Sequence, residues 1–555
     1  MSTLAANTAT PRPACPSASL QHAISRWQEA LGEANVQIGP DAQRRYRPNT
    51  LGLSRCIGAA LVPSNLTQIV QIVRIAGACR IPLYPISRGR NWGYGAANPV
   101  TDHCVIVDCS QMTRIHAFDA DLGLVTVEPG VSQAQLHAFL ADQQAPYLVP
   151  VTGAGPDASI LGNAVERGYG ITPYGDHFGA VTAFEAVLPN GKIYRSALTE
   201  MGGKLADQAF KWGIGPYLDG LFTQANMGIV TAATIALAPR PDRVAGFFFD
   251  VPEHEDLGPL VQAVRQIMRN AGGTIGAVNL MNTHRVLAMI EPYPGDQADD
   301  EGRLGPEVVK RLAARNRIGS WMGVGAIYGD RRIVRSVTTI IRQRLRRHVR
   351  MIRFITPQGA RRLRAFCGWA PRLVGARFRQ RVDAVYAAMT NFAGAPSQVA
   401  LPLAYWKSGR RPPAGQAMDP ARDACGLIWF SPLVPMKPGL VGAFVDCVTR
   451  TCLRHAIEPL ITLTTVSDRC FDSTVPILFD PSDPGQVTRA HYCYDDLFAR
   501  CRKLGCLPYR AGVHSMHHVV DPDTCYWQLV SQIKQAVDPA GIIAPGRYCP
   551  VGVEE

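Results

Sequence analysis

The chain has 555 residues, 47% hydrophobic and 18% charged, with a formal net charge of +13. That length exceeds what one core supports, so two or more domains are expected, and the composition excludes disordered and fibrous classes. No apolar run is long enough to cross a bilayer, and fifteen cysteines without a repeating spacing read as reduced thiols of a cytoplasmic protein.

The N-terminal stretch MSTLAANTATPRPACPSASL has neither the basic start nor the apolar core of a secretory signal and reads as a mobile tail. Ile57 to Val62 reads as a short strand. Ser64 is the expected N-cap of a helix whose buried face carries Leu66, Ile69, Val70 and Val73. Ile81 to Ile86 is the next strand and ends in a loop, PISRGRNWGYG, that combines three glycines, two arginines and an asparagine. Such a loop can aim backbone N–H groups and guanidinium charge at one anion. Strands follow at Val105–Val107 and Leu124–Val127, then the turn Glu128-Pro129-Gly130, a helix from Ser132 to Ala141, and a strand after Asn190-Gly191. The irregular alternation argues for an α+β fold. Composition shifts near Pro239-Arg240-Pro241, a boundary, and from about Val244 to Phe498 helical and strand patterns alternate without a phosphate-type loop.

No GxGxxG occurs, since Gly93-Tyr94-Gly95 breaks the pattern at Asn98, so a nicotinamide-type Rossmann site is not expected. Five motifs in order, PISRGRNWGYG, VEPGV, LGNAVERGYGITPYGDHF, FKWGIGPYLDGLFTQANMGIVT and IIAPGRY, resemble the vanillyl-alcohol oxidase and p-cresol methylhydroxylase family of flavoproteins. The resemblance runs from about Ala59 to Leu237 and from about Leu507 to Tyr548. It implies an FAD-binding domain of the p-cresol methylhydroxylase type over 51–240, after a lead-in over 1–50, with two subdomains. A cap over the flavin (241–500) and a C-terminal segment (501–555) returning to the first domain complete the implied α+β architecture.

The implied FAD-binding residues are Pro85, Ser87, Arg88, Gly89, Arg90 and Asn91 at the pyrophosphate, with Pro129, Gly130, Gly162, Asn163, Tyr174, Gly175, Asp176, His177, Gly228, Ile229, Val230 and Arg547 along the rest. Arg88 stands where the family has an apolar residue and reads as exposed. The family holds a phenolic oxygen with two tyrosines and an arginine, which here match Tyr94, Tyr509 and Arg510. Two hydroxyl donors and a guanidinium favour the phenolate, which helps expel hydride from the para benzylic carbon to the flavin. The implied partners are a small aromatic substrate, oxygen or an electron-acceptor protein, and a second copy in a homodimer.

Three positions depart from the family. Its acid falls on Ala154 without gaps, which leaves Asp157 as the candidate acid/base or a turn residue. The histidine that anchors the flavin covalently is replaced in RCFDSTVPILFD by Asp472 or Ser473, so FAD is expected to be non-covalent, with a tyrosyl link through Tyr405 left open. Ile171 stands where relatives have tyrosine before TPYG.

His514, His517 and His518 lack cysteine or carboxylate partners at metal-ligand spacing and read as structural or pocket-lining rather than as a metal site, one of them able to serve as an acid or base. From Arg331 to Arg364 there are twelve arginines and no acid, read as one solvated helix face buried through Ile333, Val337, Ile340, Ile341 and Leu345. An acidic electron-transfer partner or an anionic membrane surface would also fit this run, whereas no nucleic-acid fold signature accompanies it. Two other functions stay open: oxidation of a 2-hydroxy acid or sugar-type alcohol, with Arg510 on the carboxylate, and an FAD-binding scaffold without redox work.

Overall fold

The computed structural model describes residues 18–369, 374–413 and 415–550, so the tail is described only from residue 18. Helix α1 (Ala18–Leu31) buries Trp27 against the chain's next long helix, and β1 (Val36–Ile38) pairs with β2 (Ala59–Leu61). The lead-in is therefore part of the core. Helix α2 (Leu66–Cys79) begins at Asn65, whose side chain accepts from the Gln68 N–H, one residue beyond the expected cap Ser64. β3 (Leu83–Ile86) and β4 (Val105–Asp108) complete a sheet ordered β1-β2-β4-β3, with parallel pairing of β2 and β3 on β4.

A second, antiparallel sheet is ordered β5-β6-β9-β7-β8. It consists of β5 (Ile115–Asp119), β6 (Leu124–Val127), β7 (Val181–Val187), β8 (Ile193–Arg195) and β9 (Ile229–Ala236). Helix α3 (Gln133–Asp142) starts at a capping box in which Ser132 and Gln135 bond each other's backbone, and α4 (Ile160–Val165) starts at Ser159. Both helices pack on this sheet around Leu136, Leu140, Ile160 and Leu161.

The third sheet has eight strands. It holds β10 (Arg243–Val251), β11 (Ile275–Asn282), β12 (Trp321–Gly329), β13 (Met351–Ile355), β14 (Gly426–Phe430), β15 (Leu433–Pro435), β16 (Thr462–Thr465) and β17 (Cys470–Phe479). Its order is β13-β10-β12-β11-β16-β17-β14, with β15 also on β17. Residues opposite each other in an antiparallel pair share a face. Thr464 lies opposite both Asn279 and Asp472, Thr462 opposite both Met281 and Thr474, and Trp429 opposite Pro476. These side chains line one face, while Leu463, Phe471 and Val475 belong to the main hydrophobic core.

The arginine run is not a single helix. It spans a helix (Arg331–Leu345), the edge strand β13 and a second helix (Pro357–Trp369), so its charge wraps around the sheet edge. In the first helix Val337, Ile341 and Leu345 are buried, but Ile333 is exposed. Among the described residues no helix is long and apolar enough to cross a membrane.

Candidate active site

The loop after β3 lies between two anchors. The Leu83 N–H donates to the Ile542 carbonyl at 2.7 Å and the Ala544 N–H donates back to Leu83 at 2.7 Å, so the C-terminal segment lies beside the strand that launches the loop. On the other side the Arg88 Nε–H donates to the Asp157 carbonyl at 2.7 Å, and Nη1 to the Gly130 carbonyl at 3.0 Å. Arg88 is thus a tie between three loops rather than a free surface cation. A Cβ at Gly130 would lie 2.5, 2.6 and 2.8 Å from the carbonyl oxygens of Met112, Ser110 and Cys109, and one at Gly162 would lie 2.8 Å from Ser87 Oγ. Only glycine lets the backbones approach this closely. The Ser159 hydroxyl, which caps α4, donates to the Pro129 carbonyl at 2.6 Å. Ser87, Pro129, Gly130 and Gly162 therefore converge on one cradle.

Other expected cofactor residues have definite partners. Arg90 pairs with Asp419 and lies 3.9 Å from Asp157. Asn163 Nδ2 is 2.6 Å from His177 Nδ1, and burial pushes His177 down to about 4, so its ring is neutral. The Gly170 N–H donates to the Gly175 carbonyl, Asp176 accepts from the Gly179 N–H, and Tyr174 is exposed. Gly228 lies against the Val187 carbonyl and leads into β9, where Ile229 and Val230 pair with β7. Pro85 lies within β3.

At the open end of the loop Tyr94, Tyr509 and Arg510 come together. The Arg510 guanidinium lies 4.4 Å over the Tyr94 ring, and its Nη2 donates to Asn91 Oδ1 at 2.6 Å. Ser431, just beyond β14, links both tyrosines: its hydroxyl is 2.7 Å from the Tyr94 hydroxyl, and its carbonyl accepts from the Tyr509 N–H at 3.2 Å. The Tyr169 ring packs edge-on against Tyr509, with centroids 5.3 Å apart. Glu166 lies between two guanidinium groups, 3.4 Å from Arg510 Nε and paired with Arg547, whose Nη1 donates to the Tyr84 hydroxyl at 2.9 Å. Burial opposes the Glu166 anion, but Arg547 and Arg510 together hold its carboxyl below the usual range. Two cations against one anion leave a positive charge in the site. Burial pushes both Tyr94 and Tyr509 up, so both remain neutral donors.

Asp157 is not in this cluster. It is half exposed, beside Arg90, with its carbonyl used by Arg88. The carboxyl that acts electrostatically on both tyrosines is Asp472 on β17. It is buried, its Oδ1 has no hydrogen-bond partner, and burial raises it to about 7, with Arg510 opposing the rise. It acts in the same way on Tyr169. A single acid inside an apolar strand gives no periodic signal; its place at the family's flavin-anchoring position was the available clue.

The sheet face bearing Asp472 covers this site, because the Trp429 N–H donates to the Gly93 carbonyl at 3.1 Å and a Cβ at Gly93 would overlap the Trp429 ring. The Tyr405 hydroxyl is tied to Asp423 at 2.6 Å. The histidine motif finds a carboxylate after all: His518 Nε2 is 2.7 Å from Asp495 Oδ1 on the helix Pro484–Lys503, while His514 is enclosed beside Tyr494 and His517 is exposed. Ile171 packs in a separate cluster with Tyr328.

An α+β scaffold with a glycine-lined cradle under a covering sheet defines a dinucleotide-cofactor enzyme. Residues 58–197 match the FAD binding domain family. The chain is 34% identical over 533 residues to 1'-carboxy-chondrochloren decarboxylase of Chondromyces crocatus, covering 95% of this chain and 97% of that one. It is 26% identical to the 4-cresol dehydrogenase [hydroxylating] flavoprotein subunit of Pseudomonas putida, covering 95% and 94%. The crystal structure of p-cresol methylhydroxylase with substrate bound superposes with a TM-score of 0.84 at 25% identity, covering 97% and 98%. The chain belongs to the p-cresol methylhydroxylase family of FAD-linked oxidoreductases. It is an FAD-dependent oxidoreductase with that family's FAD-binding fold and cap.

Proposed function

We propose that the enzyme removes hydride from the para benzylic carbon of a 4-substituted phenol. The observation that carries this reading is the meeting of Tyr94, Tyr509 and Arg510 at the mouth of the cradle. Ser87, Gly130, Gly162 and Arg90 would hold FAD, which supplies a two-electron hydride acceptor. Tyr94 and Tyr509 donate to the phenolic oxygen, and the positive charge left by Arg510, Arg547 and Glu166 favours the phenolate. The phenolate lone pair moves into the ring as the benzylic C–H electron pair departs with its hydrogen, giving a quinone methide. Asp472 takes up the proton released when water adds to that carbon, a task suited to a carboxyl that ionises near neutrality.

A second outcome is supported by the relative from C. crocatus, whose name specifies decarboxylation of a carboxy compound. If the carbon next to the benzylic one carries a carboxylate, the bond to that carboxylate breaks in the quinone methide in place of water addition. Its electron pair closes a vinyl group, the phenolate is restored and carbon dioxide leaves. No water proton is then released.

Anaerobic titration of the purified holoenzyme tests the substrate class. Bleaching of the flavin band by 4-ethylphenol or 3-(4-hydroxyphenyl)propanoate is expected. Bleaching by 2-hydroxy acids alone would overturn it, and so would a preparation that cannot be reconstituted with FAD.

A further inference from the structure

The sheet face over the site carries a second cation. Arg285 lies in the helix Thr283–Ile290, which follows β11 directly and is capped by Asn282. Its side chain is only 9% exposed. Its Nε–H donates to the Thr462 hydroxyl at 3.1 Å, and its Nη1 has no partner. Among the described residues no carboxylate forms an ion pair with it, and burial alone pulls it down to about 10. Every other buried arginine of the site has an anion: Arg510 and Arg547 share Glu166.

A guanidinium taken out of water without a counter-charge carries a desolvation penalty that neighbouring dipoles rarely cancel. Thr462 occupies the same sheet face as Asp472, two residues along β16 from its cross-strand partner Thr464. Asn279, opposite Thr464, leaves its Oδ1 unpartnered on that face as well. Three polar side chains that each have one buried, unpartnered atom, Arg285, Asn279 and Asp472, thus meet at one face of the covering sheet, with Arg510 at the end nearest the tyrosines.

Resting on the phenol reading above, we infer that Arg285 is the site for a carboxylate on the substrate's para side chain. The substrate is then a 4-hydroxyphenyl compound with two anionic ends: a phenolate at Tyr94, Tyr509 and Arg510, and a carboxylate at Arg285. The guanidinium fork suits a planar carboxylate, and a dry surrounding strengthens the pair. Asn279 can accept from a donor on the same side chain.

The test is calorimetric binding to the anaerobically reduced holoenzyme, where turnover cannot occur, using 3-(4-hydroxyphenyl)propanoate and its neutral amide. The wild type is expected to bind the acid about 100-fold more tightly than the amide, the scale of losing one partner of a desolvated ion pair. Arg285→Met should bring the two affinities together while leaving the amide's affinity within about threefold. Arg285→Lys should keep a preference of about tenfold, because its point charge lacks the fork. Without ligand, Arg285→Met should melt no lower than the wild type, and the acid should raise the melting temperature of the wild type only. Equal binding of acid and amide by the wild type overturns the inference and leaves the phenol reading standing. A preference that survives Arg285→Met overturns it as well. So does a ligand-free Arg285→Met protein with an altered flavin spectrum or lost FAD, which would assign the arginine to the cofactor. If neither phenol binds, the phenol reading falls and the inference with it.

Discussion

The cradle and the sheet that covers it solve opposite problems. In the cradle almost every polar group is spoken for: Arg88 bonds two loop carbonyls, Ser159 bonds Pro129, and Gly130 is packed among three carbonyl oxygens. On the covering face, Asp472 Oδ1, Asn279 Oδ1 and Arg285 Nη1 are buried atoms without a hydrogen-bond partner among the described residues. Shape set by backbone suits a constant ligand, whereas unspent charge and hydrogen-bonding capacity suit recognition of a particular substrate.

Substitutions on the two sides should therefore fail differently. The largest effect is expected for Arg510→Met, which should cut kcat/KM toward 4-alkylphenols by about 1000-fold with FAD still bound. Loss of FAD in that variant would move Arg510 to the cradle side. Asp472→Asn should lower kcat for hydroxylation about 100-fold and remove an ionisation near neutrality from the pH–rate profile. An unchanged profile would exclude Asp472 as the proton acceptor.

Asp472 also has a stability signature. Its folded carboxyl ionises at about 7 against 3.8 ordinarily, so the native state binds the extra proton between these values. Stability should fall as pH rises through that window, by at most about 1.4 kcal/mol per pH unit, and Asp472→Asn should flatten the slope. Denaturant melts at several pH values would measure it. Gly130→Ala forces backbone apart and should cost about 2 kcal/mol while weakening FAD binding, read by melting temperature and by flavin released on dilution. The smallest change is expected for Tyr94→Phe, about tenfold in kcat/KM, because Tyr509 and Arg510 remain.

How much of this was legible in sequence follows the same division. The cradle is made of contiguous motifs, and Tyr94, Tyr509 and Arg510 could be aligned to a family although 415 residues separate the tyrosines in the chain. The covering face depends on strand register. Nothing local tells that Thr464 faces Asn279 and Asp472 at once, or that Arg285 on an amphipathic helix points inward. Asp157 was the natural choice for an acid because it neighbours Ala154, but its loop turns it toward Arg90. Asn65 rather than Ser64 caps the helix at Leu66 because both residue types cap well and only backbone geometry separates them.

The hydrogen bonds that join Leu83 to Ile542 and Ala544, and Tyr84 to Arg547 across 463 residues, have a consequence for biosynthesis. The strand that launches the glycine loop is synthesised 463 residues before Arg547, so its edge stays bare until that distant segment has emerged. Flavin capture is then expected only after that segment has emerged, and nascent chains arrested before residue 542 should be colourless however well their first sheets have formed.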